Sequence, residues 1–273
     1  MKRICIKPTT FTLTPIQDNQ NPYIDLEITI NKKLALKQHY NLVKAFDNVD
    51  VYTVDPTDSI PDIVFTANAG LFLPRLPEPT VLLPYMKYQQ RQNELKYLES
   101  IFADYKMIHF PGSNTAPFEG QAELKWFYGG TKAVCGYGHR STKKTFDILQ
   151  KLFKKIYKNP PELLVIPLKS ADYYHLDVAM LEFDNKCIVH RKAFSAESIK
   201  KLKRFLDDVY VIDTDDTFCL NAVIDCNNLI THTLTKGLKR ELENITGRKI
   251  HMVDTSEFEK SGGSVRCMTL DVV

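Results

Sequence analysis

The sequence predicts a five-bladed α/β propeller, in which five similar units surround a central axis and a functional site lies at that axis. Five amphipathic segments, with apolar residues three and four positions apart, predict one helix per unit at 34–47, 86–105, 142–157, 195–209 and 235–247. Their starts fall about fifty residues apart except for a shorter final step, and about three strand-like runs accompany each helix. This pseudo-fivefold repeat predicts a single domain over 1–273.

Local signals support the individual elements. Ser195 with Glu197, and Ser141 or Thr142, are typical helix starts, and Gly247 is a typical helix end. β-Branched and aromatic runs predict strands in 49–55, 62–73, 79–85, 106–110, 124–130, 132–138, 163–168, 178–183, 186–190, 209–213, 221–232, 249–254 and 265–272. A doubly wound α/β sheet is the alternative fold, but strands outnumber helices and the sequence has no GxGxxG or GxxxxGKS/T loop.

Composition indicates a globular protein without a nucleic-acid or membrane partner. The chain is 44% hydrophobic and 25% charged, and 36 basic against 33 acidic residues give a net charge of +3. The densest lysine run, in 142–157, has helical spacing and is typical of a solvated helix face. The first residues lack a secretory apolar core, and no segment approaches the ~18 apolar residues of a membrane span. A cytoplasmic location is therefore expected.

The six cysteines do not suggest a disulfide framework or a zinc site. They lie far apart, without a CxxC pair, at positions 5, 135, 187, 219, 226 and 267. Most are expected to be buried as small apolar side chains. Cys267 differs, because it follows Gly262 and Gly263, which allow the backbone to approach a strand or a ligand closely.

Polar residues in otherwise apolar runs are the candidates for a site at the axis. They are Asn21, Asn68, Glu119, Glu123, His175, Asp177, Asn221 and Cys267. His175 and Asp177 lie two positions apart, so on a strand both would face the same side. The residues alone leave structural alternatives open, namely a satisfied core histidine, a solvated loop acid at Glu119 and a local backbone contact of Asn68.

Together these residue types favour attack of a thiolate on a planar, electrophilic carbon. Cys267 supplies the thiolate and His175 the general acid and base, while the carboxylates of Glu119 and Asp177 hold a cation through paired hydrogen bonds. A guanidinium group fits this description, because its fork of N–H donors suits carboxylates in a dry site. The bound cation would also lower the pKa of the Cys267 thiol. This chemistry calls for no metal and no organic cofactor.

The chain carries six motifs that resemble those of the guanidino-modifying enzymes, the pentein superfamily, in the order VFTANAGL, FEGQAEL, GYGHRST, YYHLDVAML, CLNAV and SGGSVRCMTL. That superfamily includes arginine deiminase, dimethylarginine dimethylaminohydrolase, arginine dihydrolase and the arginine and glycine amidinotransferases. The resemblance covers nearly the whole chain, and HLD followed about ninety residues later by GGSVRC is its most specific part. It implies a five-bladed α/β propeller, in agreement with the helix repeat.

The resemblance also implies roles for five residues. Cys267 matches the nucleophile, His175 the general acid/base, and Glu119 the carboxylate that positions the histidine and the substrate. Asp177 matches the carboxylate that grips the guanidinium group, and Arg140 resembles a basic residue near the carboxylate end of the substrate. The implied reaction is hydrolysis of the guanidinium group of arginine, a small molecule, through a covalent thiouronium intermediate. Homo-oligomers are a further expectation from the superfamily.

Two departures from the common motifs bear on the reaction. FTAN replaces the FTRD of deiminases and dimethylaminohydrolases, so Asn68 stands in place of a substrate-gripping carboxylate, and EGQAE replaces EGGD, so Ala122 precedes an acid, Glu123. Both departures, with Asn21 and Pro22, resemble arginine dihydrolase, which implies conversion of arginine to ornithine, CO2 and two ammonia. The alternatives are a citrulline-forming deiminase or dimethylarginine dimethylaminohydrolase, an amidinotransferase, and a non-catalytic pentein binding module, a class that lacks the Cys–His–Glu set.

Overall fold

The computed structural model describes residues 1–14 and 21–273. Within these residues the chain forms five three-stranded sheets and eight α-helices. The strands are β1 Lys2–Ile6, β2 Val49–Tyr52, β3 Leu71–Phe72, β4 Thr80–Leu83, β5 Lys106–His109, β6 Leu124–Phe127, β7 Lys132–Tyr137, β8 Glu162–Pro167, β9 Met180–Phe183, β10 Lys186–His190, β11 Val209–Ile212, β12 Val223–Asp225, β13 Asn228–Thr231, β14 Lys249–Met252 and β15 Leu270–Val272. The helices are α1 Lys32–Lys44, α2 Gln89–Gln92, α3 Leu95–Ile101, α4 Lys143–Ile156, α5 Leu176–Ala179, α6 Ala196–Phe205, α7 Lys236–Thr246 and α8 Ser256–Glu259. In the described part of the chain, no helix has the length and apolar character needed to cross a membrane.

Each sheet repeats one pattern. An inner strand pairs antiparallel with a middle strand, and the chain then returns through helical structure to an outer strand parallel to the middle one. The sheets are β15–β1–β2, β3–β4–β5, β6–β7–β8, β9–β10–β11 and β12–β13–β14. Middle strands such as β4 are buried throughout, whereas outer strands such as β5 are partly exposed. This arrangement confirms the predicted five-bladed α/β propeller.

The last strand closes the ring by joining the first blade. β15 pairs antiparallel with β1, with Lys2 opposite Val272 and Ile4 opposite Leu270. β1 was not among the predicted strands, because Lys2 and Arg3 interrupt its apolar pattern. The Arg3 guanidinium is nevertheless buried, since it pairs with Asp225 at 2.6 Å.

Hydrophobic clusters fill the seams between successive blades, and α4 shows how the sequence places a helix there. Phe146, Leu149 and Phe153 lie on one buried face of α4, and lysines occupy the opposite face. Thr142 caps the start of α4. Lys154 and Lys155 lie in its last turn, where their positive charges interact favourably with the negative end of the helix dipole. Truncating a buried phenylalanine of this kind costs about 3–5 kcal/mol, so these seams hold the blades in a fixed ring.

The differences from the predicted elements lie mostly near the axis. Segment 62–73 is not one strand, because 3-10 turns at Pro61–Val64 and Thr66–Asn68 precede the two-residue β3. Helix 86–105 is two short helices, α2 and α3, and the predicted strand 265–272 is confined to β15. The inner ends of the five blades lie close together at the axis. Contacts between blades therefore determine the backbone conformation there more than the intrinsic strand or helix propensity of the residues does.

Candidate active site

Cys267 lies in a turn that returns the chain to the axis before β15. Its carbonyl oxygen accepts a hydrogen bond from the N–H of Ala67 at 3.0 Å, and its own N–H donates to Oδ1 of Asn221 at 3.2 Å. Its placement within a predicted strand is therefore wrong, because these two bonds reach the second and fifth blades instead of a neighbouring strand. The side chain is 4% exposed and faces the central cleft.

Gly262 and Gly263 make this return possible. Gly262 has a φ of +83°, and its carbonyl oxygen accepts a hydrogen bond from the Tyr174 hydroxyl at 2.6 Å. A Cβ atom on Gly263 would lie 2.2 Å from the Phe65 ring. A side chain at either position would displace the cleft wall, so the expected close approach is confirmed.

Two side chains contact the sulfur of Cys267. Nδ2 of Asn221 donates to Sγ at 3.1 Å, and the thiol donates to Oδ2 of Asp177 at 3.6 Å. Burial raises the pKa of the Cys267 thiol far above its usual value, and the Asp177 carboxylate raises it further. These surroundings therefore favour the neutral thiol, and a cation next to the sulfur would favour the thiolate.

His175 and Asp177 converge through a helix start and not through a strand, which corrects the sequence interpretation. His175 caps α5, and Asp177 lies in the first turn of that helix. The single helical turn satisfies backbone groups where the chain enters the inner strand β9. Burial raises the pKa of Asp177, and its Oδ1 has no hydrogen-bond partner in the described part of the protein. That oxygen is available to a substrate N–H group.

Glu119 orients the histidine. Its Oε2 lies 2.8 Å from Nε2 of His175 and 3.3 Å from Nη1 of Arg140, and its Oε1 accepts the N–H of Lys87 at 3.1 Å. Burial alone would raise the pKa of Glu119, but Arg140 and His175 outweigh it and hold the pKa well below the usual range. The carboxylate is thus ionised at neutral pH and can stabilise a protonated His175.

Two buried arginines also line the cleft. Arg140 lies between the rings of Tyr88 and Tyr174, at 5.0 and 4.8 Å from their centroids. Arg91 pairs with Glu94 at 2.9 Å and donates from Nη1 to Oδ1 of Asn68 at 2.8 Å. Both guanidinium groups are thus paired with buried carboxylates, Arg91 with Glu94 and Arg140 with Glu119, and the predicted contact of Arg140 with a substrate carboxylate remains a prediction.

Two asparagines complete the wall. Nδ2 of Asn68 donates to the Glu119 carbonyl oxygen at 3.2 Å, so the Asn68 amide is fixed at both ends. Nδ2 of Asn21 donates to the Ser261 carbonyl oxygen at 2.9 Å, beside the glycines that lead to Cys267. Both asparagines line the cleft, and their predicted contact with substrate remains a prediction.

The structure thus brings most of the predicted site residues together. Asn21, Asn68, Arg140, His175 and Cys267 line one cleft, and Glu119 and Asp177 contact its walls from behind. A larger cavity of about 210 Å³ has different lining residues, which include neither the thiol nor the histidine.

Glu123 is the exception among the predicted site residues. It is buried behind Glu119, where its Oε2 accepts the Glu119 N–H at 3.3 Å, and its side chain does not line the cleft. Burial raises the pKa of Glu123 well above the usual value, and the neighbouring Glu119 carboxylate raises it further. Its predicted contact with substrate remains a prediction.

The sequence patterns did not single out three cleft residues, Asp62, Arg91 and Tyr174. Asp62 begins an apolar run that indicated a strand, and Arg91 falls in a segment that indicated an exposed amphipathic helix. Arg91 is 4% exposed because α2 and α3 break apart beside it and its side chain turns inward to Glu94. Tyr174 directly precedes His175, so the motif around the histidine is the one signal that could have indicated it.

His232 forms ion pairs with two segments that flank the site. Its Nε2 lies 3.0 Å from Asp216 and its Nδ1 3.2 Å from Glu259, just before the glycine turn. Burial would lower the pKa of His232, but hydrogen bonds to the two carboxylates outweigh it and raise the pKa from 6.5 to about 9. Because folding raises this pKa, the stabilisation is complete below the unfolded value and is lost as the pH rises through about 9.

We expect His232→Gln to lower the free energy of unfolding by about 2 to 3 kcal/mol at about pH 6, and by much less at about pH 10. Urea unfolding of both proteins at the two pH values measures this difference. An equal loss at both pH values would show that the charge of His232 does not stabilise the fold.

Comparison with known proteins places this geometry in a family. The family model described as N,N dimethylarginine dimethylhydrolase, eukaryotic, matches residues 7–273. The chain belongs to this family. As a family member it is a guanidino-modifying hydrolase of the pentein superfamily.

Two relatives and two solved structures add detail. An N(G),N(G)-dimethylarginine dimethylaminohydrolase from Mycobacterium tuberculosis is 26% identical over 261 residues, 92% of this chain and 80% of the relative. The bifunctional arginine dihydrolase/ornithine cyclodeaminase ArgZ from Synechocystis sp. is 27% identical over 241 residues, 86% of this chain but 32% of ArgZ. The product-bound N-terminal domain of ArgZ, an arginine dihydrolase from cyanobacteria, has a TM-score of 0.86 with 25% identity, over 100% of this chain and 97% of that one. A dimethylarginine dimethylaminohydrolase adduct has a TM-score of 0.72 at 17% identity, over 98% of both chains, which shows the shared fold.

Proposed function

We propose that the chain is an arginine dihydrolase, which converts arginine and two waters to ornithine, CO2 and two ammonia within one catalytic domain. The observation that carries this proposal is the amide of Asn68 in a cleft lined by Cys267 and His175, which Glu119 and Asp177 contact from behind. The similarity to the ArgZ domain supports it.

Binding of the substrate cation would start the reaction. The guanidinium N–H groups bond to the free Oδ1 of Asp177 and to Glu119. The cation then replaces the thiol proton as the partner of Asp177. That proton passes to His175, which leaves a thiolate next to the guanidinium carbon and a protonated imidazole.

The first round releases one ammonia. The Cys267 sulfur bonds to the guanidinium carbon, and His175 protonates the terminal nitrogen as its bond to carbon breaks. The thiouronium adduct remains on the enzyme. His175 then removes a proton from water, the water oxygen bonds to the carbon, and cleavage of the carbon–sulfur bond restores the thiolate and gives citrulline.

The second round depends on Asn68. Citrulline carries a neutral ureido group, whose oxygen needs a hydrogen-bond donor. The side-chain oxygen of Asn68 accepts a hydrogen bond from Arg91, and one hydrogen of its NH2 group is donated to the Glu119 carbonyl oxygen. The second hydrogen of the Asn68 NH2 group can therefore be donated to the substrate. An aspartate here would favour the cation and let citrulline leave. A second thiol attack expels the second ammonia, and hydrolysis leaves a carboxylate on the δ-nitrogen, which loses CO2 to give ornithine.

Dimethylarginine dimethylaminohydrolase activity is the second candidate, because the matched family model and the mycobacterial relative carry that name. The same thiol chemistry would then expel dimethylamine and stop at citrulline. Incubation of the purified protein with arginine, dimethylarginine, agmatine and citrulline, followed by separation of the products, distinguishes the candidates. Ornithine from arginine and from citrulline supports the dihydrolase, whereas citrulline alone contradicts it. A new guanidine formed only when ornithine or glycine is added identifies an amidinotransferase, and no product from any substrate favours a binding module.

Asn68→Asp is expected to change the product. With the donor replaced by a carboxylate, arginine should still lose its first ammonia, but the ratio of citrulline to ornithine should rise by at least about tenfold. Amino-acid analysis of quenched reactions measures that ratio. Asn159→Asp, which makes the same chemical change at an exposed site, is the control. An unchanged ratio would show that Asn68 does not decide the number of rounds.

A further inference from the structure

We propose that Asn221 is a further catalytic residue, which stabilises the Cys267 thiolate through a direct N–H···S hydrogen bond. This role deepens the proposed function and rests on Cys267 as its nucleophile. Asn221 is fully buried where the fifth blade begins, next to β12.

The orientation of the Asn221 amide is fixed by its neighbours. Its Oδ1 accepts hydrogen bonds from the N–H of Arg266 at 2.9 Å and from the N–H of Cys267 at 3.2 Å. A carboxamide oxygen cannot donate, so the NH2 group must lie on the other side. That group donates to the Asp177 carbonyl oxygen at 3.1 Å and to Sγ of Cys267 at 3.1 Å. One side chain therefore holds both the backbone and the sulfur of the nucleophile.

The surroundings of Sγ explain why this donor matters. The Asp177 carboxylate accepts from the thiol and so favours its neutral form. The buried cations Arg266 and Lys125 pair with Glu182, so their charges already have a partner. A hydrogen bond from Asn221, together with the backbone N–H of Ser264, favours the charged form before any substrate is bound.

The hydrogen bond would act whenever the sulfur carries charge. Sulfur is a thiolate when it attacks the guanidinium carbon and again when it is expelled, and it carries no full negative charge in the covalent adduct between them. Asn221 thus stabilises both states that flank the adduct, in each of the two rounds. It moves no proton and forms no covalent bond, so it leaves the balance of the reaction unchanged.

Two substitutions separate this role from a structural one. Asn221→Asp keeps an oxygen for the backbone N–H groups of Arg266 and Cys267 but places an acceptor against Sγ. Asn221→Ala removes the donor without adding charge, and it provides the same information if Asn221→Asp does not fold. Asn227→Asp, exposed in the turn between β12 and β13, is the matched control for the added charge.

The test is the rate at which iodoacetamide alkylates Cys267 as a function of pH, without substrate, followed by mass spectrometry of the peptide that contains this residue. We expect Asn221→Asp and Asn221→Ala to react about 10- to 100-fold more slowly at neutral pH, with their pH profiles displaced upward, while Asn227→Asp matches the parent. Melting curves confirm folding. Parent-like alkylation profiles in both Asn221 variants, with only a lower Tm, would overturn the proposal. Because the alkylation test uses no arginine, its result can be interpreted even if the protein does not convert arginine to ornithine.

Discussion

Cys267→Ser is expected to lower kcat for arginine by about 10,000-fold or more, while arginine binding changes by only a few fold. A hydroxyl is a much weaker nucleophile than a thiolate, because it loses its proton far less readily. The carboxylates that would hold the guanidinium, Asp177 and Glu119, are unchanged in this variant. Ammonia release measures kcat, and calorimetry with arginine measures binding.

Cys226→Ser is the matched control for this substitution. Cys226 is exposed and far from the cleft, so its loss should leave ammonia release unchanged. Ammonia release by Cys267→Ser within about tenfold of the parent would show that another group carries out the attack. Loss of arginine binding in the same variant would place Cys267 in substrate recognition instead.

Glu119→Gln is expected to lower kcat by about 100- to 1,000-fold, because His175 and Arg140 lose a buried anionic partner. The amide has nearly the same shape, but it cannot stabilise the positive charge that His175 acquires when it takes up a proton. The pH dependence of kcat/KM should therefore shift, because the proton transfers through His175 lose the support of the carboxylate. Initial rates from about pH 5 to about pH 9 measure this shift.

Glu241→Gln, an equivalent change on the exposed face of α7, is the control for the glutamine substitution. If Glu119→Gln lowered the Tm but left both kcat and its pH dependence unchanged, Glu119 would stabilise the fold without acting on His175. A Tm loss accompanied by the pH shift would agree with both roles.

The propeller could be predicted because its signal is distributed along the whole chain. Five helices at nearly regular spacing, each with an apolar stripe, depend on helix period and capping, which are local properties. Ser195 and Gly247 therefore define their helix ends in the structure as the sequence predicts. β1 escaped prediction because the charge of Arg3 is neutralised by partners far along the chain, Asp225 and Asp271.

The site was predictable in its residue types but not in its backbone. Cys267, His175 and Asp177 were identified as polar residues in apolar runs and through the motif resemblance, and the structure gathers them at one cleft. Their predicted strand conformations were wrong, since inter-blade bonds such as Ala67 N–H to the Cys267 carbonyl set the chain direction at the axis. Arg91 could not be recognised, because a buried arginine and a surface arginine on an amphipathic helix look alike in sequence.

The proposed reaction depends on a covalent bond between Cys267 and the guanidinium carbon. Rapid acid quenching of the protein during turnover of arginine, followed by mass spectrometry of the intact chain and its peptides, tests for this bond directly. We expect an adduct equal in mass to arginine less one ammonia, located on the peptide that contains Cys267 and absent from Cys267→Ser. Full turnover with Cys267 unmodified at every quench time, or an adduct of that mass on a different residue, would contradict it.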